Sequence, residues 1–237
     1  MNSVIHSENH HAIVYDAARI PEPHLSFFDP EYWQGKDAVR GRASGRGSAL
    51  FLDTEFGLAV LRPYLRGGWP AKISRDRYFF TGINRSRPFR EFNILMQMKA
   101  LDLPVPVPLA ALVERGLISY RGVLLMAQIR GVETLGDFLG TAAADSDVWP
   151  DAGKCIRRFH QAGVNHADLN CRNILINRQE RKVYLVDFDR CTMNADSEGG
   201  GKSNLARLKR SIVKMWPANA PVILEDCWQA LMGGYHA

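Results

Sequence analysis

The densest concentration of chemistry-bearing residues lies in two adjoining runs. They are His166-Ala-Asp168-Leu-Asn-Cys-Arg-Asn173-Ile-Leu-Ile and Val183-Tyr-Leu-Val-Asp187-Phe-Asp189. Two aspartates and an asparagine each stand at the edge of a short apolar, strand-like stretch. The spacing predicts a hairpin that returns Asp187 to the side of Asn173. A carboxylate and an amide oxygen set together are hard oxygen ligands of the kind Mg2+ takes. Asp168, five residues before Asn173, is then placed to accept a proton from a substrate hydroxyl. Metal-bound phosphate and a base aimed at a hydroxyl are the apparatus of phosphoryl transfer. Taken singly, Asp and Asn here are ordinary turn residues. The ordered block, following a helical run and framed by two strands, favours the catalytic assignment.

His166-x-Asp168-Leu-x-x-x-Asn173 resembles the catalytic loop of the protein-kinase-like superfamily, and Asp187-Phe-Asp189 stands where that superfamily has Asp-Phe-Gly. The fourteen-residue step from Asn173 to Asp187 also fits. The resemblance implies ATP as phosphoryl donor, Asp168 as catalytic residue, and Asn173 and Asp187 as Mg2+ ligands. The departures narrow the acceptor. Protein kinases usually carry lysine two positions after the catalytic aspartate, where this chain has Asn170, and no Ala-Pro-Glu follows the second aspartate. A peptide acceptor is therefore not expected, and a small-molecule or glycolipid hydroxyl is. Asp189, in place of the motif glycine, leaves metal binding by Asp187 intact but alters the loop beyond.

Upstream, Gly41 to Gly47 precedes a strand pair as a phosphate-covering loop does, with Gly45 and Gly47 as its candidate contacts. The run is not G-x-G-x-x-G and reads equally as a flexible linker. Kinases hold the α and β phosphates with a lysine on the following strand. The corresponding place in Leu58-Ala-Val-Leu-Arg62 is an arginine, whose fork also binds phosphate. Lys72 is the alternative. Glu91, early in the next helix, is the ion-pair partner expected for either, against the plainer reading of a solvent-facing glutamate.

These side chains need a frame. Ala49 to Leu52 and Leu58 to Tyr64 read as strands joined by a turn at Asp53 to Gly57. Ser86-Arg87-Pro88 opens a helix to about Leu101, with Phe92, Leu95 and Met96 on one face. Pro104 to Pro108 is an extended connector. Strands are expected at Ala110 to Val113, Val123 to Gln128, Ile174 to Ile176 and Val183 to Val186. Helices are expected at Leu135 to Leu139, Ala152 to Gln161, Leu205 to Trp216 and Val222 to Met232. A mainly β first half with one helix followed by a mainly α second half makes an α+β, kinase-like two-lobed fold. The lobes are 1–128 and 129–237 of one domain.

Composition agrees with this plan and excludes others. The chain has 237 residues, 46% apolar and 23% charged, so disordered and fibrous classes are out. Its net charge is +5, but residues 62–90 hold eight basic residues and one acidic, a local +7 against −2 elsewhere. Tyr64, Trp69, Tyr78, Phe79 and Phe80 are interleaved with those cations. Such a stretch suits an anionic membrane surface, with Arg66, Arg75 and Arg77 meeting an anionic acceptor. It suits single-stranded nucleic acid less well, and it also reads as a solvated loop whose rings cover the core. Four cysteines without a CxxC pair, no export signal at the start and no long apolar span point to a cytoplasmic, reduced, non-spanning protein. Gly199-Gly-Gly-Lys-Ser203 lacks the first glycine of a P-loop, and His6, His10, His11 and His24 lack a metal-ligand spacing. The first ~25 residues read as a solvated tail with one apolar run, Ala12 to Tyr15. The helix from Leu205 reads as a core helix with a basic outer face, membrane contact being the other reading.

Gly57-Leu-Ala-Val-Leu-Arg-Pro-Tyr-Leu-Arg-Gly-Gly68, Asp76-Arg-Tyr-Phe-Phe-Thr-Gly82, Phe89-Arg-Glu-Phe92 and Leu103-Pro-Val-Pro106 together resemble the 3-deoxy-D-manno-octulosonic acid (Kdo) kinases. Both acidic runs agree with that family too, over nearly the whole chain. The resemblance implies ATP-dependent phosphorylation of the Kdo 4-hydroxyl on Kdo-lipid A in lipopolysaccharide core assembly. It also implies a peripheral site on the cytoplasmic face of the bacterial inner membrane, with that anionic surface as partner and no nucleic acid. Two other readings remain at this stage. One is a kinase-shaped module that binds anionic lipid without transfer, and the other is a kinase for another small metabolite or antibiotic.

Overall fold

The computed structural model describes residues 2–43, 49–65, 76–141, 147–193 and 197–237. The chain forms two compact units, 1–97 with 106–128 and 98–105 with 129–237. The connector around Pro104 goes with the second unit, where its carbonyl accepts from the Leu185 N–H at 3.1 Å.

The first unit is built on an antiparallel eight-stranded sheet. Its strands are β1 (Ser3–Glu8), β2 (His11–Asp16), β3 (Val39–Arg42), β4 (Leu50–Thr54), β5 (Gly57–Pro63), β6 (Tyr78–Phe79), β7 (Pro108–Arg115) and β8 (Ser119–Ala127). The order is β1-β2-β7-β8-β5-β4-β3, with β6 also on β8. Period-two alternation explains the burial. Leu50 and Leu52 of β4 and Ala59 and Leu61 of β5 point into the core, which leaves Arg62 of β5 on the opposite face. The core is closed by α1 (Pro30–Gly35), where the Asp29 carboxylate accepts the Glu31 N–H. Buried Trp33 donates its indole N–H to the Phe27 carbonyl at 2.9 Å.

The expected N-terminal tail is instead a hairpin. Ala12, Ile13 and Val14 are buried, and β2 pairs residue for residue with β7 from His11↔Glu114 to Tyr15↔Ala110. The Ala12 to Tyr15 run was the visible signal. Its partner strand lies almost a hundred residues away, which local reasoning does not supply.

α2 (Arg87–Ala100) begins where the serine–proline start placed it. Its buried face is Phe89, Phe92, Leu95 and Met98, and Met96 is only half-buried. The helical repeat carries the stripe from Leu95 to position 98 rather than 96.

The second unit carries β9 (Glu133–Thr134), α3 (Leu135–Thr141), α4 (Val148–Gln161), β10 (Ile174–Asn177), β11 (Lys182–Leu185), α5 (Ser197–Met215) and α6 (Leu224–His236). The three strands form a small antiparallel sheet ordered β11-β10-β9. α4 and α6 pack backbone to backbone, since a Cβ on Gly153 would lie 2.0 Å from the Leu231 carbonyl oxygen. The glycine run that ends at Ser203 is part of α5, so a P-loop is excluded there. Leu205, Leu208 and Ile212 of α5 are buried while Arg207, Arg210 and Lys214 are exposed, as in a core helix with a basic outer face. All four cysteines are buried free thiols, and burial pushes the Cys155 thiol up to about 12.

Candidate active site

The acidic runs meet at one end of the small sheet. α4 stops at Gln161, and Gly163 turns the chain with a φ of 73° that glycine takes without a steric penalty. His166 follows, buried, and its backbone N–H donates to Asn204 Oδ1 at 2.9 Å. Its Nε2 lies 3.0 Å from the Val186 carbonyl, an acceptor only, so Nε2 carries the proton. Burial lowers the His166 pKa below its ordinary value, outweighing the pull of Asp187 and Asp168, and the ring stays neutral. The ring also sits 5.0 Å from Phe188, which stacks on Phe159. His166 thus ties the loop before Asp168 to the strand exit before Asp187.

β10 and β11 pair from Ile174↔Leu185 to Asn177↔Lys182, and the Val186 N–H donates to the Asn173 carbonyl at 3.0 Å. That register brings Asp187 one residue past the partner of Asn173. Asp187 has a φ of 67°, a left-handed conformation that aspartate tolerates better than most residues. Asn173 is buried and donates its Nδ2 to the Asp168 carbonyl at 2.8 Å. A planar amide bound in this way turns its Oδ1 away from that carbonyl. An amide oxygen and a carboxylate brought together suit Mg2+, which is held through one or two carboxylates plus substrate phosphates.

Asp168 differs from its neighbours in being exposed. Its carbonyl is held by Asn173 and by Asn170 Nδ2 at 2.9 Å, while its carboxylate points to solvent. There, Asp168 Oδ1 lies 3.5 Å from Arg207 Nη1, a guanidinium on α5. The sequence reading missed Arg207. The only local hint was Asn170 where a lysine was expected, and nothing near it in the chain announces a cation 39 residues on.

The first unit holds a second constellation. Glu91 of α2, 2% exposed, accepts from both the Arg62 guanidinium of β5 and the Tyr64 hydroxyl. Arg62 therefore meets Glu91, as an ion-paired role for Glu91 requires. Burial first, and the Glu91 carboxylate next, push the Tyr64 hydroxyl well above its usual range, so it stays a donor. The Arg62 and Arg87 guanidinium carbons lie 5.1 and 5.5 Å from the Tyr64 ring centre. Arg77 Nη1 reaches Ser119 Oγ of β8 at 3.4 Å. Gly45, Gly47, Arg66, Lys72 and Arg75 lie outside the described residues.

A β-rich unit with one long helix, followed by a mainly helical unit carrying an aspartate–asparagine–aspartate loop, defines a kinase-like protein. The solved structure "WaaP in complex with acyl carrier protein" shares the fold, with a TM-score of 0.58 over 91% of this chain and 86% of that one, at 11% identity. The model of the lipopolysaccharide kinase (Kdo/WaaP) family matches residues 30–235, and the chain belongs to that family. Similar relatives include the 3-deoxy-D-manno-octulosonic acid kinase of Stenotrophomonas maltophilia (strain R551-3), 42% identical over 204 residues, 86% of this chain and 81% of that one. The protein of that name from Xanthomonas euvesicatoria pv. vesicatoria is likewise 42% identical over the same shares. By class the chain is a kinase, an ATP-dependent phosphotransferase. Among the described residues no helix is long and apolar enough to cross a membrane.

Proposed function

We propose that the protein transfers the γ-phosphoryl group of ATP to the 4-hydroxyl of Kdo on Kdo-lipid A, at the cytoplasmic face of the bacterial inner membrane. The hydroxyl oxygen attacks the γ-phosphorus, the bond from that phosphorus to the ADP oxygen breaks, and the hydroxyl proton passes to Asp168. Asn173 and Asp187 hold Mg2+, which when bound offsets phosphate charge. Arg62, oriented by Glu91 and Tyr64, meets the nucleotide phosphates, with Lys72 as the alternative and Gly45 and Gly47 covering them. Arg66, Arg75 and Arg77 meet the anionic acceptor. Arg207, 3.5 Å from the Asp168 carboxylate, supplies the positive charge that Asn170 does not.

The observation that carries this reading is the Asp168 loop. Its backbone is fixed by Asn173 and Asn170, while its carboxylate is exposed beside the Arg207 guanidinium. A residue held so firmly by its main chain, with its functional group left in solvent, suits proton transfer to a hydroxyl arriving from outside. The test is incubation of the purified protein with Mg-ATP and Kdo-lipid A, followed by mass spectrometry of the lipid. A gain of one phosphate, mapped to the Kdo 4-position by fragmentation, is expected. An unmodified lipid overturns the proposal, and phosphate at another position overturns its regiochemistry.

A further inference from the structure

Large exposed apolar side chains of the first unit gather at one end of its sheet. β7 and β8 are joined by the three residues Gly116 to Ile118, closed by the Gly116 N–H on the Ser119 carbonyl at 2.7 Å. Its corner residues are Leu117 and Ile118, 97% and 69% exposed. β6 lies beside them on β8, with Phe79 opposite Ser119 and the Phe80 N–H on the Ile118 carbonyl at 3.0 Å. Phe79 is itself 75% exposed. Turns of this length favour Asn, Asp and Gly. Neither Leu117 nor Ile118 packs into the unit or adopts a positive φ, so folding gives no reason for two aliphatic residues there.

Cations frame the tip. The Arg77 guanidinium lies 3.4 Å from Ser119 Oγ and 3.1 Å from where a Cβ on Gly116 would sit. The Arg115 guanidinium stands over the Phe80 ring at 4.7 Å. Further along β8, away from the tip, Arg121 pairs with Asp76 at 2.7 Å and stands opposite Glu114.

We infer that this hairpin tip is a membrane-docking wedge. Leu117, Ile118 and Phe79 enter the interfacial layer of an anionic bilayer, and Arg77 and Arg115 meet its phosphates. A convex tip of three apolar side chains offers a protein partner far less than the ~800 Å² per side of a stable interface. A bilayer accepts such a probe, and the arginine rim matches an anionic surface. The inference rests on the proposed glycolipid acceptor for its purpose, since an acyl-anchored sugar is presented at such a surface.

The test is co-sedimentation of the whole chain with phosphatidylethanolamine vesicles, with and without phosphatidylglycerol. Binding is expected to require phosphatidylglycerol and to weaken about tenfold or more in a Leu117→Ser, Ile118→Ser double variant with an unchanged melting temperature. Arg115→Gln is expected to make binding weaker and less sensitive to salt. Leu117→Trp should add emission that vesicles shift to the blue and that acyl chains brominated near the head group quench. The inference is overturned if the parent ignores phosphatidylglycerol or the serine variant binds like the parent. It is equally overturned if the parent is a dimer that the serine variant breaks, which would assign the tip to self-association. Turnover on detergent-dispersed Kdo-lipid A separates the two proposals. The serine variant should retain it, and a parent inactive on that acceptor yet bound to vesicles refutes the catalytic reading alone.

Discussion

Two ion pairs, one in each unit, are built in opposite ways. Glu91 is 2% exposed and Arg62 21%, and the Tyr64 hydroxyl adds a second donor to the same carboxylate. Asp168 and Arg207 are 54% and 48% exposed, 3.5 Å apart, with no further side-chain partner on the aspartate among the described residues. A desolvated charge is costly to strand, so the first pair holds its members in one arrangement. A solvated pair contributes little to stability and exchanges partners readily. The first arrangement suits a cation that must present a fixed fork to phosphate. The second suits a carboxylate that must leave its partner to meet a hydroxyl.

The contrast is tested most severely at the exposed aspartate. Asp168→Ala is expected to lower turnover by ~10²–10⁴ while leaving the melting temperature unchanged. Near-normal turnover would remove Asp168 from the reaction. The buried pair should answer in the opposite currency. Glu91→Ala leaves the Arg62 guanidinium and the Tyr64 hydroxyl unmatched and is expected to cost about 3 kcal/mol. Thermal denaturation would show this as a midpoint roughly 5–10 °C lower. Glu91→Gln, which keeps an acceptor for Tyr64, should lose less. If both variants melt like the parent, the pair holds nothing in place.

Acid should act on the buried histidines of the second unit. Burial lowers the pKa of both His166 and His160 in the folded chain, overcoming Asp187 and Asp168 beside the first and the Asn204 hydrogen bond of the second. Their contribution is therefore complete above the unfolded value of about 6.5 and is lost as pH falls through and below it, by up to ~1.4 kcal/mol per pH unit for each ring. Melting midpoints measured from neutral pH downward should fall, and the fall should be shallower in His166→Gln. A flat profile would mean that these rings accept protons as easily folded as unfolded. The smallest effect belongs to the exposed partner. Arg207→Gln should slow turnover by roughly tenfold and change stability by less than ~0.5 kcal/mol. An unchanged rate would leave Arg207 outside the proposed mechanism.

Much of this was legible in the chain because it is local. The serine–proline start, the Pro104 to Pro108 connector, and the β10–β11 hairpin with Asn173 and Asp187 at its ends follow from turn chemistry and periodicity. The kinase resemblance also anticipated a cation paired with Glu91, with Arg62 or Lys72 as the candidates, and Arg62 is the one that meets it. What escaped was non-local. The β1–β2 hairpin looked like a tail because its buried face appears only against β7. The exposure of Leu117 and Ile118 has no signal in the chain, because exposure is a property of what fails to pack on a residue.

The sequence by itself determined the order of the elements from β4 onward in outline, the placing of Asn173 and Asp187 at the ends of one hairpin, and the local excess of positive charge. All of these depend on residue type and spacing over a few turns of chain. Tertiary structure decided which cation reaches Asp168, which acceptor keeps His166 neutral, and which apolar side chains remain in water. Those depend on distances between segments tens of residues apart, and a charge or a hydrophobic surface acts through such distances rather than along the chain.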